Sequence, residues 1–470
     1  MTAPTDHPTL LRPDLLFADG RFVINSALLL DGAGRIAALQ PSSGASSDLT
    51  LDLPHRALFP GCINVHSHAF QRLLRGQAES RTAAGHDFWS WRNTMYRAAA
   101  RLSPDDLYDV ARMAFLEMLL AGITTVGEFH YLHNAPSGQP YDDPNLLAKQ
   151  IIAAAQSVGI RIVLLRSAYL RSGYNIPRDP GQLRFFEITT EFLSRFEALT
   201  AAYPSTPGLT FGIAPHSIRA VPFEDLRQMV AFAHSSHLPL HMHISEQVAE
   251  NEACLREYGR TPVSLLAHAG LFSPEWTAIH AIHLTGEEIV QLAAAGVTIG
   301  SCPATERNLG DGILPADRMV AAGIPIALGT DSQAQIDPFE DARELDLHLR
   351  LAHQQRAPLD STSGAAPDSS LAARLFDCAT VHGARSLAVP AGRLAPGLAA
   401  DFVTVDLRDP SIASHSAADL LPLLVFGLQR TAIRDVAVAG RLVVRDGRHP
   451  LQDEIIARYA DLHSRVWHTP

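Results

Sequence analysis

A chain of 470 residues with 47% hydrophobic composition can bury a large core, and its length calls for one big domain plus a smaller one rather than a disordered polymer. Its formal net charge of -11 excludes a general nucleic-acid binder, because neutralising phosphates needs Lys and Arg clustered on one face. No secretory signal is readable over Met1 to Asp19 and no apolar stretch reaches the ~20 residues that span a bilayer, which predicts a cytoplasmic protein with a small-molecule partner and no membrane contact.

In chain order, LLFADGRFV and SALLLDGAGRIAALQ read as short strands with Gly turns. An opening strand follows around Gly61 to His66. The run from Asp105 to Gly122 has apolar residues at helical spacing, an acidic start and a terminal Gly, so it reads as a helix, and Thr124 to Tyr131 reads as a strand. The alternation continues with helix Leu146 to Val158, strand Arg161 to Tyr169, helix from about Leu183 to Ala202, and strand Leu209 to Pro215. Next come helix Phe223 to Ser235, strand Pro239 to Ser245, a helical pair over Glu250 to Ala269, and strand Trp276 to Leu284. Helix Glu287 to Ala295, strand Val297 to Pro303, a short helix near Ala316 to Ala322 and strand Pro325 to Thr330 complete the series.

Eight β units separated by helices predict an α/β fold, a parallel (β/α)8 TIM-type barrel over 61–384. Pro358 to Ser370 reads as a loop before the final barrel helix, and Leu420 to Leu428 as buried core. ADFVTVDL and RDVAVAGRLVVRDG are again β-rich, so 1–60 and 385–470 together predict a small β-sandwich domain built from both chain ends. Four cysteines, Cys62, Cys254, Cys302 and Cys378, stand far apart without a C-x-x-C pair, which fits a reduced compartment and small core positions.

The segment N-V-H-S-H places His66 and His68 two apart at the end of a β-type run, so the strand period aims both imidazoles to one side. Such a pair can grip one metal, which with an open position lowers the pKa of a water toward ~7. Alone the pattern is weak. Three more predicted strand ends carry suitable groups: His243 with Glu246 three residues later, His280, and Asp331 in LGTDS. The bland alternative is a set of unrelated polar residues at a barrel mouth; their common placement at strand ends argues against it.

This set resembles the mononuclear deaminase branch of the amidohydrolase superfamily, which has H-x-H after the first strand, H-x-x-E at the fifth, His at the sixth and Asp at the eighth. The resemblance implies one Zn2+ per subunit held by His66, His68, His243 and Asp331, with iron or manganese as the other candidates. It leaves Glu246 as general acid, His280 to stabilise the tetrahedral centre, and Asp331 to take a proton from the water. Binuclear members use a carboxylated lysine on a central strand. The only lysine here, Lys149, lies in a predicted helix, so a single metal is expected.

A closer resemblance, carried by HSHAFQR, DFWSWR, the Tyr131 strand, APHSIRAV, HISEQ, CPATERNLGDG and GTDSQ, is to the N-formimino-L-glutamate deiminases of bacterial histidine degradation. It implies hydrolysis of N-formimino-L-glutamate to N-formyl-L-glutamate and ammonia, in a homodimer. It also implies that Arg92 and Arg219 bind the substrate carboxylates through their planar forks, and that Gln71, Tyr131 and His216 line the pocket. Phe88, Trp89 and Trp91 are expected to pack and fix a loop carrying Arg92. Two alternatives stand beside this reading: a deaminase of a purine, a nucleoside or S-adenosylhomocysteine with the same metal set, and a catalytically silent barrel-fold binding protein.

Overall fold

Strands that are apolar on both faces pack only where helices cover them, and residues 62–328 fold accordingly into eight parallel strands in sequential order. The computed structural model describes residues 8–43, 47, 49–79, 88–360, 370–413 and 416–468. Most of the loop expected over 358–370 therefore lies outside the described residues. The barrel strands are β1 (Cys62–Ser67), β2 (Ile123–His130), β3 (Arg161–Ala168), β4 (Leu209–Pro215), β5 (Leu240–Ile244), β6 (Trp276–His280), β7 (Thr298–Ser301) and β8 (Ile326–Leu328). Their side chains are buried along almost the whole length of each strand except β4, where Thr210 is exposed and Phe211 half-buried.

The ring closes through a parallel bridge between Ser67 and Asp331, where the His68 N–H donates to the Asp331 carbonyl at 3.0 Å and the Asp331 N–H to that of His66 at 2.9 Å. Asn64, on β1, reinforces this seam: its amide oxygen accepts from the Thr330 N–H at 3.0 Å, and its NH2 donates to the Thr330 hydroxyl at 2.6 Å.

The helices Leu146–Val158 and Phe223–Ser235 coincide with their predicted ranges, and the helical pair becomes Val248–Tyr258 and Pro262–His268. The expected helix from Leu183 starts only at Thr189. Residues 183–188 are held as an irregular strap because tertiary partners claim their polar groups. The Arg184 carbonyl accepts from the His133 and Asn134 N–H groups at 2.9 Å each, and the Arg184 guanidinium donates to the carbonyls of Asn134, Ala99 and Leu102. Strand β6 also stops earlier than expected, because His280 and Ala281 adopt φ values of 68° and 52° that no strand accommodates. Helices that were not anticipated include Phe88–Arg101, Pro303–Leu309, Pro338–His353, Val381–Ser386 and Gln452–His468, the last within the stretch 385–470 expected to be β-rich.

The two chain ends meet in a second eight-stranded sheet, as expected for an end-built β unit. Thr9–Ala18 pairs with Leu49–Pro60 in parallel and the other neighbours run antiparallel. The sheet folds back on itself so that Arg35 bridges to Ala399, enclosing a core of its own that includes Leu11, Leu28, Leu58 and Phe402. Gly34 makes the return possible. A Cβ there would lie 2.1 Å from the Ala439 carbonyl oxygen, and its φ is 75°. Leu420–Gly427 is a helix with Leu420, Leu421, Leu424 and Val425 buried, and all four cysteines are free and buried.

Candidate active site

The carboxyl ends of β1, β5, β6 and β8 converge at one mouth of the barrel, the end where parallel barrels carry their chemistry. Residues 66 and 68 fall on one side of β1 through the pleat, and their rings stand edge to face at 4.6 Å. His243 Nε2, from β5, lies 3.1 Å from His66 Nε2 and 3.3 Å from His68 Nε2. Asp331 Oδ1 is 3.4 Å from the former and 3.3 Å from the latter.

These contacts are not hydrogen bonds between imidazoles. A carbonyl only accepts, so His68 Nδ1, 2.9 Å from the Phe129 oxygen, and His243 Nδ1, 2.9 Å from the His216 oxygen, both carry their protons. Their Nε2 atoms are then lone pairs aimed at one another, an arrangement that a shared cation makes favourable. Zinc–nitrogen bonds of about 2.0–2.1 Å put tetrahedral donors about 3.3–3.4 Å apart, which three of the four separations match and the fourth, at 3.1 Å, approaches. Burial holds His66, His68 and His243 below the usual imidazole range, so they present the neutral form a metal requires. The residues present thus fit a four-ligand metal site.

Beside this cluster, His280 Nε2 lies 3.8 Å from both Glu246 Oε1 and Asp331 Oδ2. Burial alone would lower the His280 pKa, but Glu246, Glu306 and Asp331 outweigh it and carry it up to about 10. Glu246 itself is pushed above the usual carboxylate range, mainly by burial. His280 and Asp331 both sit at positive φ, 68° and 46°, so the backbone is strained where the functional side chains leave it.

A narrow cleft opens over the cluster. Every residue given a catalytic, metal-binding or substrate-binding role in the sequence lines it except His66, which is fully buried. Gln71 lies in the 3-10 turn Ala69–Leu74 and donates from Nε2 to the Tyr131 hydroxyl at 2.7 Å. The His216 ring packs edge-on against Tyr169 at 4.8 Å. Arg219 Nη1 is buried in the cleft wall without a hydrogen-bond partner. Arg92 stands on the helix Phe88–Arg101, not on a loop, with its guanidinium 5.5 Å from the Tyr96 ring centre. Phe88 and Trp91 pack at 5.9 Å on that helix, and the side chain of Trp89 lies outside the described residues.

Two buried carboxylates were missed. Glu306 Oε1 accepts from His280 Nδ1 at 3.3 Å, and Glu128 accepts from the Ser67 hydroxyl at 2.5 Å and the Ala69 N–H at 2.7 Å, pinning the turn that follows β1. Burial raises Glu128 to about 8. Glu306 stood inside CPATERNLGDG, three residues into an unanticipated helix, where only a tertiary partner reveals its part.

The description "Amidohydrolase family" matches residues 57–443. The formimidoylglutamate deiminase of Pseudomonas aeruginosa is 37% identical over 88% of this chain and 90% of its own length. An amidohydrolase from Brucella melitensis superposes with a TM-score of 0.88 at 32% identity, covering 97% of this chain and 99% of that one. The atrazine chlorohydrolase of Arthrobacter aurescens, solved complexed with zinc, superposes at 0.82 with 26% identity over 97% of this chain and 100% of its own. A match over most of the chain, on a barrel with this His and Asp cluster at its mouth, establishes that the chain belongs to the amidohydrolase family.

Proposed function

We propose that the protein hydrolyses N-formimino-L-glutamate to N-formyl-L-glutamate and ammonia, as a step of histidine degradation. The observation that carries this reading is in the cleft wall: Arg219, whose Nη1 is buried without a hydrogen-bond partner, lines it together with Arg92. A buried guanidinium calls for an anion, and a substrate with two carboxylates supplies one for each arginine. A purine or nucleoside needs neither. The 37% identity to a formimidoylglutamate deiminase points the same way.

His66, His68, His243 and Asp331 would hold the metal, zinc by the donor set and the zinc-bound relative, at one ion per subunit of a cytoplasmic homodimer. When bound, such an ion polarises a water and lowers its pKa toward ~7. The chain's own groups then move the protons. Asp331 takes one proton from the water as its oxygen bonds to the formimino carbon, while Glu246 protonates the C=N nitrogen. His280 donates toward the tetrahedral centre. As the C–N bond breaks, Asp331 passes its proton to the departing nitrogen, and the remaining hydroxyl proton restores Glu246. Residues 61–384 supply this whole set, and 1–60 with 385–470 form the companion unit.

The test is ammonia release from N-formimino-L-glutamate with and without chelation, beside N-formimino-glycine, guanine and S-adenosylhomocysteine. Chelator-sensitive release confined to formiminoglutamate is expected; turnover of a purine or nucleoside instead would overturn the substrate assignment. Arg219→Ala is expected to raise KM sharply, lowering kcat/KM by about 30-fold or more, since losing one partner of a buried charge pair costs ~2–5 kcal/mol. Unchanged kinetics would remove Arg219 from the substrate site.

A further inference from the structure

We infer that Glu306 is a positioning residue for the reaction, holding the His280 ring so that Nε2 faces the Glu246 and Asp331 carboxylates. The inference rests on the proton-transfer roles proposed above. His280 leaves its strand at a positive φ, so the pleat that aims His66 and His68 does not aim this ring. Its orientation needs a side-chain anchor, and Glu306 is placed to be one. The carboxylate is 3% exposed and takes three donors: His280 Nδ1 at 3.3 Å and the Cys302 N–H at 2.8 Å on Oε1, and the Ser301 hydroxyl at 3.1 Å on Oε2. A carboxylate fixed from β7 and from the start of the next helix cannot rotate to follow the ring; the ring must follow it. With Nδ1–H committed to Glu306, Nε2 is the only nitrogen left for the cleft, 3.8 Å from each of the other two acids.

His280, Cys302 and Glu306 are also close enough together to suggest a second metal site. The hydrogen bonds already made argue against it. An ion there would have to displace His280 Nδ1 and the Cys302 N–H from Oε1, and the Cys302 thiol is held well above its ordinary range by burial, far from the thiolate a metal needs.

The test uses Glu306→Gln in the metal-loaded protein, with Glu306→Asp, which keeps the charge and shortens the reach. Outer partners of this kind change activity by about 10–100-fold. We expect kcat to fall by that factor in both variants with KM and metal content unchanged. In 15N-histidine spectra, assigned with His280→Asn, the His280 signals should move away from the wild-type Nδ1–H pattern. This spectral readout needs no substrate, so it stands even if formiminoglutamate is not turned over. Unchanged His280 signals in both variants would overturn the inference. So would two zinc ions per wild-type chain falling to one in Glu306→Gln, which would make the cluster a metal site.

Discussion

Glu246→Gln lowers kcat for ammonia release by about 10²–10⁴-fold and leaves KM near its wild-type value, the range expected when a positioned general acid is removed. The substitution keeps the volume of the side chain and removes only the transferable proton. Burial favours the proposed task, because it pushes the Glu246 carboxyl above its ordinary pKa and so toward the protonated form that a general acid needs. The His66, His68, His243 and Asp331 donors and the Arg92 and Arg219 wall are untouched, so metal content and ground-state binding should persist. Steady-state kinetics with metal analysis on the same preparation separate these effects. Ammonia release at the wild-type rate would take the proton-donor role away from Glu246 whatever the substrate.

Glu187→Ala destabilises the fold by about 3–5 kcal/mol, read as a lower urea midpoint, because it strands a buried guanidinium. Arg166 and Glu187 are both fully buried at the side chain, with Nη1 at 2.5 Å and Nη2 at 2.8 Å from the carboxylate, and Arg195 adds a third contact at 2.7 Å. The strap 183–188 depends on this pair. It also carries Phe185, whose ring stands 5.1 Å from Tyr131 in the cleft wall, so the same change should raise KM as well as lower stability. Burial alone would raise the Glu187 pKa, but His133, Arg166 and Arg195 outweigh it and bring it to about 2. Against an unfolded value near ~4.3, the pair's stabilisation is complete above that pH and is lost as pH falls through about 2. Beside it, burial lowers His133 to about 4, so below ~6.5 the unfolded chain gains the proton first and stability again falls with acid. Both groups predict acid unfolding in two stages, and Glu187→Ala should flatten the lower one.

Most of the barrel was legible because strands buried on both faces read as continuous apolar runs between helices of regular period, as Arg161–Ala168 between Leu146–Val158 and Thr189–Ala201 illustrates. His66 and His68 were legible for a related reason, since the pleat aims alternate residues to one side, whereas His243 and Asp331 were joined to them by the family resemblance. What escaped depends on partners distant in sequence. Arg184 and Glu187 lie in a stretch with helical spacing, and only the carbonyls of Ala99, Leu102 and Asn134 and the guanidinium of Arg166 pull it out of a helix. Phe88–Arg101 is rich in apolar residues, but its aromatic cluster reads as packing around a loop rather than as the face of a helix. Pro338–His353 has a readable start, with Asp337 accepting from the Phe339 and Glu340 N–H groups at 3.0 Å, yet a count of eight strands ends before it. Glu306 is a carboxylate among many until the backbone turn at His280 brings a ring against it.

The seam between β1 and β8 bears on how the protein comes into being. Asn64 and Thr330, hydrogen-bonded partners in the finished barrel, are 266 residues apart, and the donors at the mouth are spread over nearly the same interval. A chain emerging from the ribosome has His66 and His68 early, but it lacks Asp331 until most of the polypeptide is made. Tight metal capture by the proposed four donors would therefore be a late event that reports a closed barrel, since contacts this distant form only after the intervening units have condensed. Shortened chains ending before residue 331 should fold their early β/α units and still fail to retain metal through dialysis.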